Sequence, residues 1–175
     1  MPEEMKTERE LNAEEVSQPR VASPGSRSTA SFVAVRNRLP SDVDVVSPFV
    51  DQLMRFISRF RVAEGGNFEI ELALREAIVN AIVHGNQEDP RKRVHVNCRC
   101  MTDGEVSVTI EDEGIGFRSD AIPDPTSPEN RLRTHGRGIY LMKTLMDEVD
   151  FEQGGSVVHM RKRANAGSDA SRKPQ

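Results

Sequence analysis

The chain has 175 residues, of which 36% are hydrophobic, and a net charge of -4. This fits one domain with polar tails, because a typical domain takes roughly 100–150 residues. Basic and acidic residues are interspersed, which argues against direct binding of nucleic acid. No apolar run approaches the roughly 20 residues needed to cross a bilayer, and the N-terminus lacks a signal-peptide pattern. We therefore expect a cytoplasmic protein with no membrane partner.

The two ends of the chain are predicted to be disordered tails. Residues 1–30 and 164–175 contain few large apolar side chains, so neither can bury enough surface to offset the entropy lost on ordering. The folded domain is therefore expected at about residues 31–163.

A strand and a helix open the predicted domain. Residues 31–38 are strand-like, and a helix is predicted to begin at Ser47 and Pro48, since serine can cap a helix and proline suits its first turn. Its apolar residues recur at spacings of three and four, which predicts one buried stripe: Phe49, Val50, Leu53, Phe56, Ile57 and Phe60.

A second helix is predicted over about residues 69–84. It follows a Gly65-Gly66 break and ends near Gly85 and Asn86, residues that favour the backbone at helix ends.

Two strands follow, joined by a Thr-Asp-Gly hairpin turn at residues 102–104. Their alternating apolar residues are Val94, Val96, Cys98 and Cys100, then Val106, Val108 and Ile110. Cys98 and Cys100 share a face without the geometry that a disulfide prefers, so we interpret them as reduced core thiols. A metal site is the alternative, but the sequence supplies no further Cys or His pair at finger-like spacing.

The remainder of the domain predicts a lid, a helix and a strand. A long segment with three prolines, residues 118–133, favours a mobile lid at about 118–137; disorder without function is its alternative. A third helix is expected at about 138–147 and a last strand at about 156–163. The mixture predicts an α+β two-layer sandwich, with a mixed, mainly antiparallel sheet and helices on one face.

The second helix carries a polar stripe. Glu76, Asn80 and His84 recur at steps of four and therefore lie along one side of the helix. Apolar residues surround this stripe, which would leave an unusually narrow exposed face. From this helix alone, the three residues could equally be ordinary surface side chains.

Two glycine-containing segments suggest a nucleotide. Asp112 lies where a strand ends, and Gly114 and Gly116 permit close backbone approaches; the carboxylate could accept from the amino group of adenine, which guanine lacks at that ring position. An acidic tight turn is the alternative. Gly136 and Gly138 precede a helix, whose free N–H groups favour phosphate.

The ordered set E-x-x-x-N-x-x-x-H-G-N, D-x-G-x-G-F and G-R-G-I-x-L-M resembles the ATP-binding fold of gyrase, heat-shock chaperones, histidine kinases and MutL. The phrases NAIVHGN, PDPTSPEN and GRGIYLMKTLMDEV resemble the anti-sigma-factor serine/threonine kinases within that superfamily. The likeness covers about residues 31–163 and implies a histidine-kinase-like ATP-binding domain.

The resemblance implies roles for individual residues. Asn80 would bind Mg²⁺, Asp112 would read adenine, and Glu76 would be the general base. His84 is interpreted as structural. The other ATP-binding positions implied are Gly114, Gly116, Gly136, Arg137, Gly138, Ile139 and Ser156, where Ser156 replaces the threonine usual in the family but keeps the hydroxyl.

The resemblance also implies a function. The protein would hold a sigma factor, phosphorylate an anti-anti-sigma partner of the STAS type on serine, use ATP and Mg²⁺, and form a homodimer. A module that binds ATP and sequesters a partner without phosphoryl transfer remains an alternative, as does a regulator in a switch without a sigma factor.

Overall fold

The computed structural model describes residues 32–60, 66–114 and 137–163. The predicted tails, and the predicted lid apart from Arg137, lie outside these residues.

The described strands form one five-stranded sheet in the order β1-β2-β3-β5-β4. Every neighbouring pair is antiparallel. The strands are β1 (Phe32–Pro40), β2 (Arg93–Met101), β3 (Val106–Asp112), β4 (Glu148–Glu152) and β5 (Val157–Lys162).

Helices cover one face of this sheet. They are α1 (Val46–Ile57), α2 (Gly66–Asn80) and α3 (Arg137–Leu145), and a π-helical turn, Ala81–Gly85, extends α2. Short 3-10 turns lie at Val43–Val45 and Gln153–Gly155. The core lies between helices and sheet, and the predicted α+β sandwich is confirmed.

The strand periodicity predicted the inward face correctly. Val94, Val96, Cys98 and Cys100 of β2 are buried and alternate with more exposed residues. Both cysteines are free and buried, as predicted. A hydrogen bond with Cys100, together with burial, raises the pKa of the Cys98 thiol well above its usual value.

The predicted cap of the first helix was wrong. α1 begins at Val46, one residue before Ser47, and its N-cap Val45 makes no side-chain hydrogen bond. Asp42 instead caps the preceding 3-10 turn by accepting from the Asp44 N–H at 2.9 Å. The Ser47 hydroxyl accepts from Arg75 at 3.0 Å and thereby ties α1 to α2.

Strand β4 was missed by the sequence prediction, which extended the third helix to about residue 147. α3 ends at Leu145, and β4 pairs with β5 through a turn in which Gln153, Gly154 and Gly155 all have positive φ. Five residues with only Val149 and Phe151 as apolar members give a weak alternation, and acidic residues flank them. Such a short charged strand suits the edge of a sheet.

No helix among the described residues is both long and apolar enough to span a membrane.

Candidate functional site

A small pocket lies between α2, α3 and the sheet. Four residues predicted as site residues line it, namely Asn80, Asp112, Ile139 and Ser156. Its other lining residues are mainly apolar and come from several elements: Ala77, Ala81, Ile110, Met142, Phe151, Gly155 and Val158. The three sequence segments therefore converge on one pocket.

The first turn of α3 lies directly against the polar stripe of α2. A β-carbon built at Gly138 would lie 2.6 Å from Oε2 of Glu76 and 3.1 Å from Nδ2 of Asn80. An alanine side chain at this position would require the ends of the Glu76 and Asn80 side chains to move. The N-terminus of α3 therefore meets a carboxylate and an amide at one edge of the pocket.

Asp112 lies at the opposite side, at the end of β3, and is 8% exposed. Its Oδ1 accepts from the Gly114 N–H at 2.8 Å, and its own N–H donates to the Ser156 carbonyl at 2.9 Å. Among the described residues, no donor reaches Oδ2. Burial raises the pKa of Asp112 above its usual value, and the Gly114 N–H partly offsets that effect.

Two glycines enclose the Asp112 side chain. A β-carbon at Gly85 would lie 2.2 Å from Cγ of Asp112, and one at Gly114 would lie 2.0 Å from the Gly85 carbonyl oxygen. Side chains at these positions would collide with the carboxylate or with backbone. The close approach predicted for Gly114 is confirmed, and Gly85 is its partner.

Ser156 is buried and follows the turn between β4 and β5. Its hydroxyl donates to the Gln153 carbonyl at 3.2 Å, while its carbonyl receives the Asp112 N–H. The hydroxyl therefore stabilises the turn between β4 and β5, and the Ser156 carbonyl helps to hold the backbone of Asp112 in place. Ser156 also lines the pocket.

Two predicted residues, Gly116 and Gly136, lie outside the described residues, and of Arg137 only the backbone at the start of α3 is described. Within ranges 32–60, 66–114 and 137–163, no three His, Cys, Asp or Glu side chains are grouped to hold a metal ion. The alternative of a metal site at Cys98 and Cys100 therefore gains no support.

Comparison with known families decides what kind of domain this is. The model of the histidine kinase-like ATPase domain matches residues 39–162. The chain belongs to this family. The match covers α1, α2, α3 and the strands β2 to β5, together with the last two residues of β1, and it includes every described residue of the pocket.

Curated relatives of this ATPase domain are anti-sigma F factors. The chain is 32% identical over 102 residues to that of Oceanobacillus iheyensis, a match covering 54% of this chain and 68% of the relative. It is 37% identical over 101 residues to that of Geobacillus thermodenitrificans, covering 54% and 67%. The chain is 31% identical over 125 residues to the anti-sigma F factor of Clostridium perfringens, a match covering 69% of this chain and 84% of the relative.

A solved structure shares the ATPase fold. The crystal structure of the RsbU and RsbW domains of Rv1364c from Mycobacterium tuberculosis matches with a TM-score of 0.51 at 16% identity. The match covers 75% of this chain and about a third (32%) of the other. At this identity the likeness concerns the fold.

The polar stripe predicted on the ATPase helix is interrupted. The regular α-helix ends at Asn80, and the chain continues as a π-turn, with the Asn86 N–H bonded to the Ala81 carbonyl at 2.8 Å. π-turns inside helices are frequent at functional sites. His84 is exposed and does not line the pocket, so the stripe effectively consists of Glu76 and Asn80.

Sequence reasoning gave no role to Asn86, although it is fully buried. Its side-chain amide donates to the Arg93 carbonyl at 3.0 Å, and its oxygen accepts from the Glu113 N–H at 2.9 Å. The polar residue at the end of an otherwise apolar helix was the available signal, but its partners lie far away in sequence.

The ATPase pocket thus has two chemically different sides. At one, an amide, a carboxylate and free N–H groups of a helix N-terminus suit phosphate and its counterion. At the other, Oδ2 of Asp112 accepts no hydrogen bond from the described residues and suits a neutral donor such as an aromatic amino group. Apolar side chains lie between them and suit a planar ring.

Proposed function

We propose that this protein is an ATP-binding anti-sigma factor with serine-protein kinase activity. It binds a sigma factor, transfers the γ-phosphoryl group of ATP to a serine of an anti-anti-sigma partner of the STAS type, and so regulates transcription by exchange of partners. We also propose that it acts in the cytoplasm as a homodimer.

The observation that carries this proposal is the contact of Gly138 with Glu76 and Asn80. Phosphate groups bound at the N-terminus of α3 would lie beside a carboxylate and an amide oxygen, which are the groups that phosphoryl transfer requires for a base and for Mg²⁺. Phosphoryl transfer depends mainly on positioning and charge neutralisation, so few protein groups are needed.

Asn80 fits the role of the magnesium ligand. Mg²⁺ takes oxygen ligands and usually keeps several waters, with the rest supplied by substrate phosphates. The Asn80 amide lies beside the start of α3, where phosphates would bind. It can supply one oxygen ligand, which matches this demand better than a closed cage of side chains would. When bound, the ion would neutralise charge that develops on the phosphates.

Glu76 fits the role of the general base. It lies one helical turn before Asn80, and its carboxylate is close to the start of α3. In the proposed reaction the serine hydroxyl of the partner attacks the γ-phosphorus, its proton passes to Glu76, and the bond from the γ-phosphorus to the bridging oxygen of ADP breaks. The products are phosphoserine and ADP.

Asp112 fits the role of the adenine reader. Oδ1 is fixed by the Gly114 N–H, which leaves Oδ2 to accept from the amino group of adenine. Guanine presents a carbonyl oxygen at that ring position, so two acceptors would face each other and leave a buried carboxylate unpaired. Gly136 and Gly138 would hold the phosphates, with Arg137 and Ile139 beside them and Gly116 supporting the base.

The choice of partners is supported by the relatives. Curated proteins at 31–37% identity are named anti-sigma F factors, and a sigma factor is accordingly the proposed target. The structural neighbour from Mycobacterium tuberculosis contains an RsbU and an RsbW domain. The pocket itself carries no feature that would select one sigma factor over another.

The test is incubation with labelled ATP and Mg²⁺ in the presence of candidate anti-anti-sigma proteins, followed by mapping of the labelled residue. We expect label on a serine, and its loss in Glu76→Gln with ATP binding retained. Glu88→Gln, which removes the same charge from an exposed turn, is the matched control. ATP binding without transfer to any candidate would favour the sequestering module instead.

A further inference from the structure

Three residues at the end of β3 form a closed ring of hydrogen bonds. The Asn86 side chain donates to the Arg93 carbonyl at 3.0 Å and accepts from the Glu113 N–H at 2.9 Å. The ring closes where the Arg93 N–H donates to Oε2 of Glu113, also at 3.0 Å. Three segments that are separate in sequence are thereby joined through side chains.

The ring continues the sheet beyond its last backbone pair. Val94 is opposite Asp112 at the end of the β2–β3 ladder, so Arg93 and Glu113 occupy the next position. There the Asn86 amide and the Glu113 carboxylate satisfy the backbone groups that the ladder would otherwise pair. These bonds extend the connection between β2 and β3 by one position, to Arg93 and Glu113.

Glu113 is held from its solvent side as well. Its Oε1 lies 3.1 Å from Nε2 of His95 and 3.6 Å from the Arg38 guanidinium. The bond with His95, followed by those with Arg93 and Arg38, holds the pKa of Glu113 below its usual value. The carboxylate is therefore ionised at neutral pH and is a strong acceptor for the ring.

The ring is adjacent to Asp112 on both sides. Glu113 lies between Asp112 and Gly114, whose N–H binds Oδ1 of Asp112. Asn86 follows Gly85, and the backbone of Gly85 packs closely against the Asp112 carboxylate and Gly114. Both backbone segments that enclose the Asp112 side chain are thus anchored by the ring.

We infer that Asn86 and Glu113 are positioning residues for purine selectivity, acting through the ring to orient Oδ2 of Asp112 toward the base. This rests on the proposed function, because it assumes that Asp112 reads adenine. Neither residue lines the pocket. Discrimination between an amino group and a carbonyl oxygen requires a fixed acceptor, since a carboxylate that can turn or admit water tolerates both.

The test compares dissociation constants for ATP and GTP, with Mg²⁺, in the full chain and its variants. In Asn86→Ala and Glu113→Ala we expect the ratio of the GTP constant to the ATP constant to fall about tenfold, the loss of one hydrogen bond to a charged group. Glu113→Gln keeps an acceptor for the Arg93 N–H and should restore most of the ratio. Glu88→Gln removes a charge from an exposed turn and should leave the ratio unchanged.

The outcomes distinguish a failure of this inference from a failure of the proposed function. Thermal unfolding identifies variants that fail to fold. If Asn86→Ala fails to fold because Asn86 is buried, the ratio measured for Glu113→Ala, at an exposed residue, tests the inference. Folded variants that keep the wild-type ratio within about twofold overturn this inference and leave the proposed function intact. Wild-type protein that does not bind ATP refutes the proposed function and this inference with it.

Discussion

Replacement of Gly138 by alanine tests the contact between α3 and the polar stripe of α2. The new methyl group would lie 2.6 Å from Oε2 of Glu76, whereas ordinary contacts begin at 3.4 Å. The carboxylate must therefore move by about 0.8 Å. Nδ2 of Asn80, at 3.1 Å from the new methyl group, must move by a few tenths of an ångström. Both are ends of flexible side chains, so the fold can absorb the change.

Gly138→Ala is expected to slow phosphoryl transfer without lowering the stability of the protein. A displacement of about 1 Å at reacting groups can cost about a hundredfold in rate, and we expect a loss of this order in phosphoryl transfer. Alanine in a helix is favoured over glycine by up to about 1 kcal/mol, so the melting temperature should not fall. An unfolding defect therefore cannot account for the expected loss of activity.

The assay combines single-turnover transfer from labelled ATP, titration of ATP with and without Mg²⁺, and thermal unfolding. Thr144→Ala is the matched control, because it raises helix propensity on the exposed face of α3 away from Glu76 and Asn80. A Gly138→Ala variant with transfer within about threefold of wild type would refute the geometry. Markedly lower stability would refute the expected accommodation.

Three further predictions concern Asp112, its enclosing glycines and the thiols. Burial raises the pKa of Asp112, so just above pH 3.8 the folded state binds more protons than the unfolded chain, and stability falls as the pH rises through that window. Asp112→Asn should therefore raise the melting temperature at pH 7, with a gain that shrinks toward pH 4. The same variant should bind ATP more weakly in titrations. Gly114→Ala, facing the Gly85 carbonyl at 2.0 Å, should lower the free energy of unfolding by about 1–3 kcal/mol in urea titrations. Cys98 and Cys100 should resist alkylation at pH 8 in the folded protein and react in denaturant, because both are buried.

The parts of the fold that could be predicted from sequence are those encoded by local periodicity. Alternation in β2 and β3 fixed their inward faces, and spacing of three and four identified α1 and α2. These are short-range signals that tertiary contacts reinforce. The convergence of Asn80 and Asp112 on one pocket was implied by the family resemblance, because neither segment alone distinguished a site from an ordinary surface or turn.

The parts that could not be predicted depend on partners far along the chain. Strand β4 has only two apolar residues, and its pairing with β5 becomes visible only through the turn that joins them. The π-turn after Asn80 carries no local pattern of its own. It is stabilised when Asn86 reaches Arg93 and Glu113, and neither partner could be assigned from a sequence that ends its helix with an ordinary His-Gly-Asn.

The segment from Glu76 to Asn86 connects both sides of the pocket. Glu76 and Asn80 meet the start of α3, Gly85 meets Asp112, and Asn86 anchors the end of β3. One continuous helical segment therefore contacts both the start of α3 and the end of β3. Gly85 and Gly114 allow β3 to approach this segment more closely than side chains would permit, and Gly138 lets α3 contact Glu76 and Asn80 without displacing them. A buried carboxylate with a raised pKa is the accompanying cost in stability, and it is the feature from which selectivity for adenine would arise.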